Sequence, residues 1–371
     1  PDNHFIAQIE KARTGTNIGL NNGLPSLSNY IYGTHKGRYY LVGADSGVGK
    51  TTLSDFMYIY NGYMSAKLMG KPMYVFYYSF EISLEEKKAR WVSYYLKTQL
   101  NISLSPDYIQ GRIPGMMVTD QHMDLIRMAY LFVEEMMQYC HMVVIEDPVH
   151  PTKIFNNLID HHYDQIGTVL RHEAYDPEKK GRKGAIYGWK AKEGNEDAIT
   201  MVMIDHIALL MNEQGFDTKH TMDLMSKYLV TLRNLFGLTG VVIQQFNTDI
   251  TSTFRMNKKG DNVITPQRID FGDSRYTFRD ANVVLGMIKP AIYELPSYHK
   301  YDITKLDQCF IGLHLMKNRH GPSQRMLPLF MDGMTGVIED IPLTPTVEIA
   351  MQPYYDRVVE MEKISRSFRP K

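Results

Sequence analysis

Residues 41–53, LVGADSGVGKTTL, place a glycine-containing loop between an apolar strand and the first turn of a helix. The run fits the pattern A/G-x-x-x-x-G-K-S/T, and Gly47 and Gly49 let backbone N–H groups turn around phosphate oxygens without a crowding Cβ. We expect Lys50 to reach the β- and γ-phosphates of ATP or another nucleoside triphosphate, and the Thr51 hydroxyl to bind Mg²⁺. The alternative is a glycine-rich turn that binds no nucleotide. The predicted nucleotide-binding residues are Ala44, Asp45, Ser46, Gly47, Val48, Gly49, Lys50, Thr51 and Thr52.

The composition bounds the class of protein. The chain has 371 residues, of which 44% are hydrophobic, enough for one large core or two domains. Its 41 basic residues balance its 41 acidic residues, so a nucleic-acid site must be a local patch or channel. Cys140 and Cys309 suit a reducing compartment. We see no apolar run of about 18 residues and no signal peptide, and therefore expect a cytoplasmic protein without a membrane partner.

Strand and helix patterns alternate from residue 37 onward, which predicts an α/β fold with a mostly parallel central sheet flanked by helices. Ligands bind such sheets at the carboxyl ends of the strands. We divide the chain into a lead-in or linker at 1–36, a main domain at 37–340 with a charged loop or hairpin insertion at 171–198, and a C-terminal extension at 341–371. The predicted strands are 39–44, 72–80, 142–147, 201–209, 239–246, 281–289 and 309–317. The predicted helices are 4–13, 51–67, 83–98, 120–139, 152–170, 220–237 and 354–367.

Two carboxylates follow predicted strands. Asp205 ends the apolar run of MVMIDHIALL, an arrangement in which the carboxylate orients Mg²⁺, often through water, although apolar strands ending in aspartate are common. Glu81 follows the strand at 72–80, where a carboxylate is able to polarise an attacking water. The alternative for Glu81 is a solvated carboxylate that caps the next helix.

Amides and cations follow two further strands. Gln244 and Gln245 end VVIQQFN, where an amide can contact a γ-phosphate or the water; alternation directs one of them inward, and we favour Gln245. Lys317 and Arg319 lie on the same side of an extended segment after the seventh strand. That spacing suits a pair that reaches the γ-phosphate bound by another subunit, as arginine fingers do. A surface basic turn before Gly-Pro explains the same spacing.

Taken in order from about residue 23 to 340, these segments resemble the motor domain of hexameric replicative DNA helicases of the DnaB type, within the RecA-like ATPases. SFEISLEEKKAR is similar to that family's S-L-E-M-S segment, whose glutamate, here Glu81, is the proposed catalytic base. VMIDHIALL resembles the Walker B strand, and QQFN resembles the S-Q-L-N segment, which selects Gln245. KNRHGPSQ resembles K-x-R-x-G-P, whose lysine and arginine, here Lys317 and Arg319, act in trans on a neighbour's nucleotide.

The resemblance implies an ATP-dependent DNA helicase that translocates on single-stranded DNA as a hexameric ring and unwinds duplexes in replication. It implies Mg²⁺ as the cofactor, a primase or loader as a partner, and movement from 5′ to 3′. We expect the N-terminal helical domain of full-length bacterial members to be absent here, unless it has been removed from the chain. Such trimming is expected of compact phage-encoded relatives, which act in the host cytoplasm.

A translocating ring needs basic loops that face its pore. The segment DFGDSRYTFRD resembles one that lines the family's channel, but Gly272 holds the family's arginine position and Arg275 its glycine position. The insertion at 171–198 adds further basic residues, and its Tyr187 and Trp189 are able to stack on bases. The alternative for both segments is a solvated charged loop. The predicted DNA-binding residues are Arg255, Lys258, Lys259, Arg268 and Arg275.

Two other functions fit part of the sequence. A RecA-like recombinase or recombination mediator would share the phosphate loop and Asp205, but would form filaments on single-stranded DNA without unwinding a duplex. A non-motor interaction protein would bind nucleotide as a structural switch, with negligible DNA-stimulated turnover. Glu81 and the pair Lys317 and Arg319 argue against the switch, because it needs no catalytic base and no cations acting in trans.

Overall fold

The structure is a computed structural model, and it describes residues 6, 9, 10, 12–15, 17–171, 186–247, 264–272, 275–344 and 348–367. The strands are β1 Tyr39–Ala44, β2 Met73–Ser79, β3 Val143–Ile145, β4 Gly167–Arg171, β5 Ile186–Ala191, β6 Ile199–Asp205, β7 Thr239–Gln245, β8 Val283–Ile288, β9 Ser297–Tyr298, β10 Tyr301–Asp302, β11 Phe310–Asn318, β12 Arg325–Met331 and β13 Ile338–Asp340. The α-helices are α1 Pro25–Ile31, α2 Lys50–Ser54, α3 Asn61–Leu68, α4 Leu84–Leu100, α5 Pro106–Ile109, α6 Asp120–Tyr139, α7 Pro151–Asp164, α8 Thr218–Phe236, α9 Arg275–Asp280, α10 Ile303–Leu306 and α11 Glu348–Ser367.

Shorter helical pieces join these elements. A π-helical stretch at Asp55–Tyr60 separates α2 from α3 without a break in the helical path. The 3₁₀ turns lie at Ile207–Leu209, Arg268–Phe271, Pro290–Tyr293 and Asp307–Cys309. None of the helices in the described part of the chain combines the length and the apolar composition that a membrane span requires.

Within the described residues, nine strands form one sheet in the order β13-β12-β11-β8-β1-β7-β6-β2-β3. The pairs from β8 to β3 are parallel, and β11, β12 and β13 add to one side as antiparallel strands. The sheet confirms the prediction of a mostly parallel α/β fold. Because the parallel strands point the same way, their carboxyl ends meet at one edge.

Strand β1 lies at the centre of the sheet and is buried along its whole length. Tyr40, Val42 and Ala44 pack into the core on one face, and Tyr39 and Leu41 pack into the core on the other. A strand that is buried on both faces has to be apolar at every position, since alternate side chains point to opposite faces. The run YYLVGA therefore specifies a central strand that leads directly into the glycine-containing loop.

Most predicted elements agree with the structure to within two or three residues, and the helix 120–139 agrees at both ends. The prediction of a helix over 152–170 is wrong at its end, because α7 stops at Asp164 and β4 pairs with β5 in an antiparallel hairpin. The indole of Trp189 lies so close to Gly167 that an added Cβ would overlap its Nε1. The insertion at 171–198 is expected to be a loop or a hairpin, and its strand β5 forms a hairpin with β4.

Other differences lie at the ends of elements. The predicted strand 201–209 is β6 at Ile199–Asp205, and a turn follows it. The C-terminal helix begins at Glu348 rather than at residue 354. Strand β12 is absent from the predicted strands, and it contains Pro328, a residue that strand interiors disfavour. Pro328 is level with Gly312 of β11 and lies just before Leu329–Met331, the residues that pair with β13. Part of the predicted helix 4–13 falls outside the described residues; residues 6, 9, 10, 12 and 13 are helical.

Candidate nucleotide-binding site

The loop between β1 and α2 has the backbone of a phosphate cradle. Gly47 has φ of 72° and Gly49, the N-terminal cap of α2, has φ of 104°, both in a region that L side chains rarely adopt. At Gly49 an added Cβ would also lie 2.7 Å from Met331 Sδ. The backbone conformation therefore requires glycine at this position, and a larger residue would also displace the Met331 side chain.

Lys50 lies within the loop rather than in solvent. Its side chain is 9% exposed, and its ammonium donates a 2.9 Å hydrogen bond to the Asp45 carbonyl oxygen. Burial lowers the pKa of Lys50, while Glu81, Asp205 and Asp45 act in the opposite direction. These three acids thus lie close enough to the ammonium to influence its charge, and Lys50 is positioned to exchange a carbonyl contact for phosphate oxygens.

Thr51 and Asp205 meet at the edge of the sheet. The Thr51 hydroxyl donates a 2.7 Å hydrogen bond to Asp205 Oδ2, and Asp205 is 1% exposed. Within the described residues, the second carboxylate oxygen, Oδ1, is buried and has no hydrogen-bond partner. Burial raises the pKa of Asp205, and Lys87 and Thr51 counter that rise. A buried carboxylate oxygen left without a donor, beside a hydroxyl, fits the oxygen ligands that Mg²⁺ prefers.

Glu81 follows β2 and faces the same space. Ser79 pairs with Asp205 in the β2–β6 register, and the Phe80 N–H donates a 2.9 Å hydrogen bond to the Asp205 carbonyl oxygen. These contacts place Glu81 two residues beyond the level of Asp205, just past the end of β2. Glu81 is exposed, and its charge raises the pKa of Lys50 and of His206 against the effect of their burial. Its carboxylate is therefore free of the core and near the cradle.

The two glutamines of β7 occupy different environments. Gln244 is buried; its amide donates a 2.5 Å hydrogen bond to the Phe271 carbonyl oxygen and accepts one of 2.8 Å from the Thr277 hydroxyl. The expectation that Gln245 is the inward residue is wrong, because these internal partners select Gln244. Gln245 is exposed at the strand end and lies level with Ala44 in the parallel register. It therefore stands beside the phosphate loop.

Lys317 and Arg319 lie at the opposite end of the sheet from the phosphate loop. Lys317 pairs with Val284 in the antiparallel register, and Val284 pairs with Leu41 of β1. The Lys317 ammonium donates to the carbonyl oxygens of Phe278 and Arg279 at 2.8 and 2.7 Å. The Arg319 guanidinium donates to the same Arg279 carbonyl at 2.6 Å. Both cations thus converge on the end of α9, and neither is near the phosphate loop of its own chain.

The predicted DNA-binding residues are only partly described. Arg255, Lys258 and Lys259 lie outside the described residues. Arg268 is exposed, with its guanidinium carbon 5.8 Å from the centre of the Phe278 ring, and Arg275 begins α9.

The prediction that Trp189 stacks on bases does not fit its environment. Its indole N–H donates a 2.9 Å hydrogen bond to the His162 carbonyl oxygen, and its ring lies at a steep angle to the His162 ring, 5.7 Å away. His162 itself is buried and stacks on Phe236 at 4.6 Å. Trp189 therefore packs the hairpin against α7. Tyr187, on the same strand, is 54% exposed.

Sequence reasoning missed a buried ionic cluster behind the site. Lys87 of α4 is fully buried and lies near both Asp55 and Asp205. Helical spacing was the feature of the sequence that could have revealed the burial of Lys87, since Leu84, Lys87 and Trp91 share the inward face of α4. A lysine on that face predicts a buried partner, but the partner is not identifiable from the sequence of α4.

A cavity of about 260 Å³ opens beside the phosphate loop. It runs from Thr52 along one side of α2 and is closed by α4 and by the turn between β12 and β13. Its charged lining residues are Asp55, Glu86, Arg90, Asp107 and Arg112. The cavity is therefore adjacent to the loop that is predicted to hold the phosphates.

Comparisons with known proteins agree with this architecture. No protein-family model matches the sequence, and no curated protein matches it. The solved ATPase domain of one DnaB-like helicase is similar with a TM-score of 0.64 at 13% identity, over 92% of this chain and 98% of that chain. A DnaB-like replicative helicase, solved in a study of its interactions with primase, has a TM-score of 0.63 at 14% identity, over 92% of this chain and 68% of that one. At such identities the similarity establishes the fold alone, and this chain shares the RecA-like fold of the ATPase domains of those DnaB-like helicases.

Proposed function

We propose that this chain is the motor of a DNA helicase: an ATPase (or other NTPase) that moves on single-stranded DNA as a hexameric ring and separates duplexes ahead of it. The observation that carries the proposal is the separation of two groups of residues. Lys50, Thr51, Glu81, Asp205 and Gln245 lie at the carboxyl edge of the sheet. The two predicted trans-acting cations lie at the other end of the sheet, away from the phosphate loop of their own chain.

The separation follows from strand register. Asn318, at the end of β11, is level with Val283 and through it with Tyr40, four residues before the last residue of β1. Four residues of a strand span about 13 Å, and the loop lies beyond that distance. A lysine or arginine side chain is too short to cover it. The register supports action in trans over action within one chain.

Each site residue then has a role that its position permits. Lys50 and the loop N–H groups hold the phosphates, and Thr51 with Asp205 Oδ1 hold Mg²⁺, which offsets charge on the β- and γ-phosphate oxygens. Glu81 orients and activates the attacking water, and Gln245 contacts the γ-phosphate. The cavity beside Thr52 receives the base and ribose.

Mixing two inactive variants tests this proposal. Lys50→Ala subunits keep a working pair of trans cations, and Arg319→Ala subunits keep a working pocket. Each alone should lose hydrolysis, by about 10³- to 10⁵-fold for a missing trans arginine, and the mixture should recover part of the activity. Mixing Lys50→Ala with Asp205→Asn is the matched control and should recover nothing, because both variants damage the pocket. An Arg319→Ala protein with full ATPase activity would contradict the proposal.

The DNA partner and the ring are further parts of the proposal. Arg268 is exposed, and in a pore it would contact a phosphate; Arg268→Ala should then weaken binding to single-stranded DNA and reduce its salt dependence by about one charge. Electron microscopy with a non-hydrolysable nucleotide and single-stranded DNA should show closed rings. Filaments would favour a recombinase instead. The similar DnaB-like replicative helicase interacts with primase, and we propose that this chain also binds a primase. A pull-down with the primase of the same replication system tests this part of the proposal.

A further inference from the structure

We propose that Lys87 is a positioning residue of the metal site: an internal ammonium that lies behind Asp205, fixes one carboxylate oxygen and leaves the other for Mg²⁺. This inference rests on the proposed nucleotide-dependent function. It concerns a residue that the phosphate-loop and Walker B patterns do not include.

Lys87 has no access to solvent and three polar neighbours. Its side chain is 0% exposed, and its ammonium lies 3.9 Å from Asp205 Oδ2 and 3.8 Å from Asp55 Oδ2. It donates a 2.6 Å hydrogen bond to the Tyr77 hydroxyl and lies 4.0 Å from the centre of that ring. A buried ammonium is stable only with such partners, so its position is closely determined.

Asp55 holds the ammonium in place and is not itself free to bind a metal. The Tyr77 hydroxyl donates a 2.7 Å hydrogen bond to Asp55 Oδ1, and the Trp91 indole N–H donates one of 3.0 Å to Asp55 Oδ2. Both carboxylate oxygens of Asp55 therefore have donors. Asp205 differs from Asp55. Its Oδ2 accepts a hydrogen bond from the Thr51 hydroxyl and lies near the Lys87 ammonium, while its Oδ1 has no hydrogen-bond donor among the described residues.

The asymmetry at Asp205 is what a metal site requires. Two groups approach Oδ2, the Thr51 hydroxyl at 2.7 Å and the Lys87 ammonium at 3.9 Å, and both favour the orientation in which Oδ2 faces them. One lysine between two buried carboxylates leaves a single negative charge in the cluster. That charge is adjacent to the oxygen that has no donor, so a cation is the complementary ligand.

The cluster also joins the elements that carry the site. Asp55 belongs to the π-helical stretch that continues α2, Tyr77 belongs to β2, and Lys87 belongs to α4, the helix that follows Glu81. π-Helical turns occur frequently at functional sites. Buried ion pairs are seldom needed for stability, because well-packed apolar groups replace them without loss. A role at the site accounts for the presence of this pair better than a role in packing.

The test is a Mg²⁺ titration of ADP binding, followed with a fluorescent ADP analogue, on the full chain. Lys87→Met removes the ammonium. Asp55→Asn combined with Lys87→Met removes both buried charges, so the double variant folds even if the single variant does not. In the folded variants we expect the half-saturating Mg²⁺ concentration to rise by about tenfold to a hundredfold, with ADP binding in EDTA unchanged. Lys88→Met is the matched control, because Lys88 pairs with Glu85 on the outer side of the same helix.

The outcomes separate this inference from the function on which it rests. If the wild-type chain binds no ADP, the proposed function fails. If the wild type shows Mg²⁺-dependent binding and the folded double variant has the same half-saturating concentration, only the role of Lys87 is overturned. A double variant that does not fold assigns the pair to packing and overturns it as well.

Discussion

The hydroxyl of Thr51 and the carboxylate of Asp205, 154 positions apart in the chain, are joined by a hydrogen bond of 2.7 Å. The bond exists because β1 and β6 are parallel strands separated only by β7, so the residues after β1 and at the end of β6 reach the same edge. It uses Oδ2 of Asp205 and leaves Oδ1 without a donor among the described residues. The two side chains that we propose to hold Mg²⁺ are thus brought together by the fold itself.

Replacement of Asp205 by asparagine should abolish metal-dependent hydrolysis while the chain still folds. Asparagine keeps the shape and can accept the Thr51 hydrogen bond, but it removes the charge that a divalent cation requires. We expect ATPase activity to fall by at least about a hundredfold, measured by phosphate release. Nucleotide binding in EDTA should be retained. Asp147→Asn, an exposed acid just after β3, is the control and should hydrolyse ATP at the wild-type rate.

The sequence predicts those parts of the site that depend on local pattern. The run 39–53 specifies a strand, a glycine-containing loop and a helix start without help from distant residues. The helix 120–139 is predicted at both ends, and the Thr119 side chain accepts a hydrogen bond from the His122 N–H at its start. A parallel sheet brings strand-end residues together, which is why position at a strand end is enough to select Glu81 and Asp205 as candidates.

The missed features depend on tertiary packing. Alternation states that one of Gln244 and Gln245 is inward, but the choice is made by Phe271 and Thr277, which are distant in the sequence. Lys87 is a charged residue at a helix position where the spacing predicts an apolar core residue, and its partners belong to other elements. Such contacts lie outside the reach of periodicity, because no local rule relates Lys87 to Asp55.

The two glutamines of β7 should separate a structural role from a functional one. Gln244→Ala removes the hydrogen bonds of the Gln244 amide with the Phe271 carbonyl and the Thr277 hydroxyl, and should lower the free energy of unfolding by about 1–3 kcal/mol. Gln245→Ala removes an exposed side chain, and should change the free energy of unfolding by less than about 0.5 kcal/mol. Turnover should respond in the opposite order, with a loss of at least about tenfold for Gln245→Ala. Urea unfolding measures the change in stability, and ATPase assays on the same two variants measure the change in turnover. Equal ATPase activity in Gln245→Ala and wild type would show that Gln245 does not belong to the site.

Trp189 should contribute to stability rather than to DNA binding. Trp189→Ala removes the hydrogen bond to the His162 carbonyl and the packing against Gly167. Because the indole is only partly buried, we expect a loss of roughly 2 kcal/mol, about half the cost of truncating a fully buried tryptophan. Trp189→Ala at a temperature where it is folded should bind single-stranded DNA as the wild type does. A large loss of DNA binding without a loss of stability would restore the base-stacking role.

Lys317 should make the chain more stable as the pH rises from about 8 to 10.5. Burial, with Arg319 as the next cause, lowers the pKa of Lys317 from 10.5 to about 8. Between these values the unfolded chain binds more protons at this residue than the folded chain, so stability at this site rises as the pH increases. The melting temperature of the wild type relative to Lys317→Met should therefore increase from pH 7 to pH 10. Lys317→Arg keeps its charge throughout and should show a constant difference from Lys317→Met; a wild-type curve parallel to that of the arginine variant would show that Lys317 does not titrate in this range.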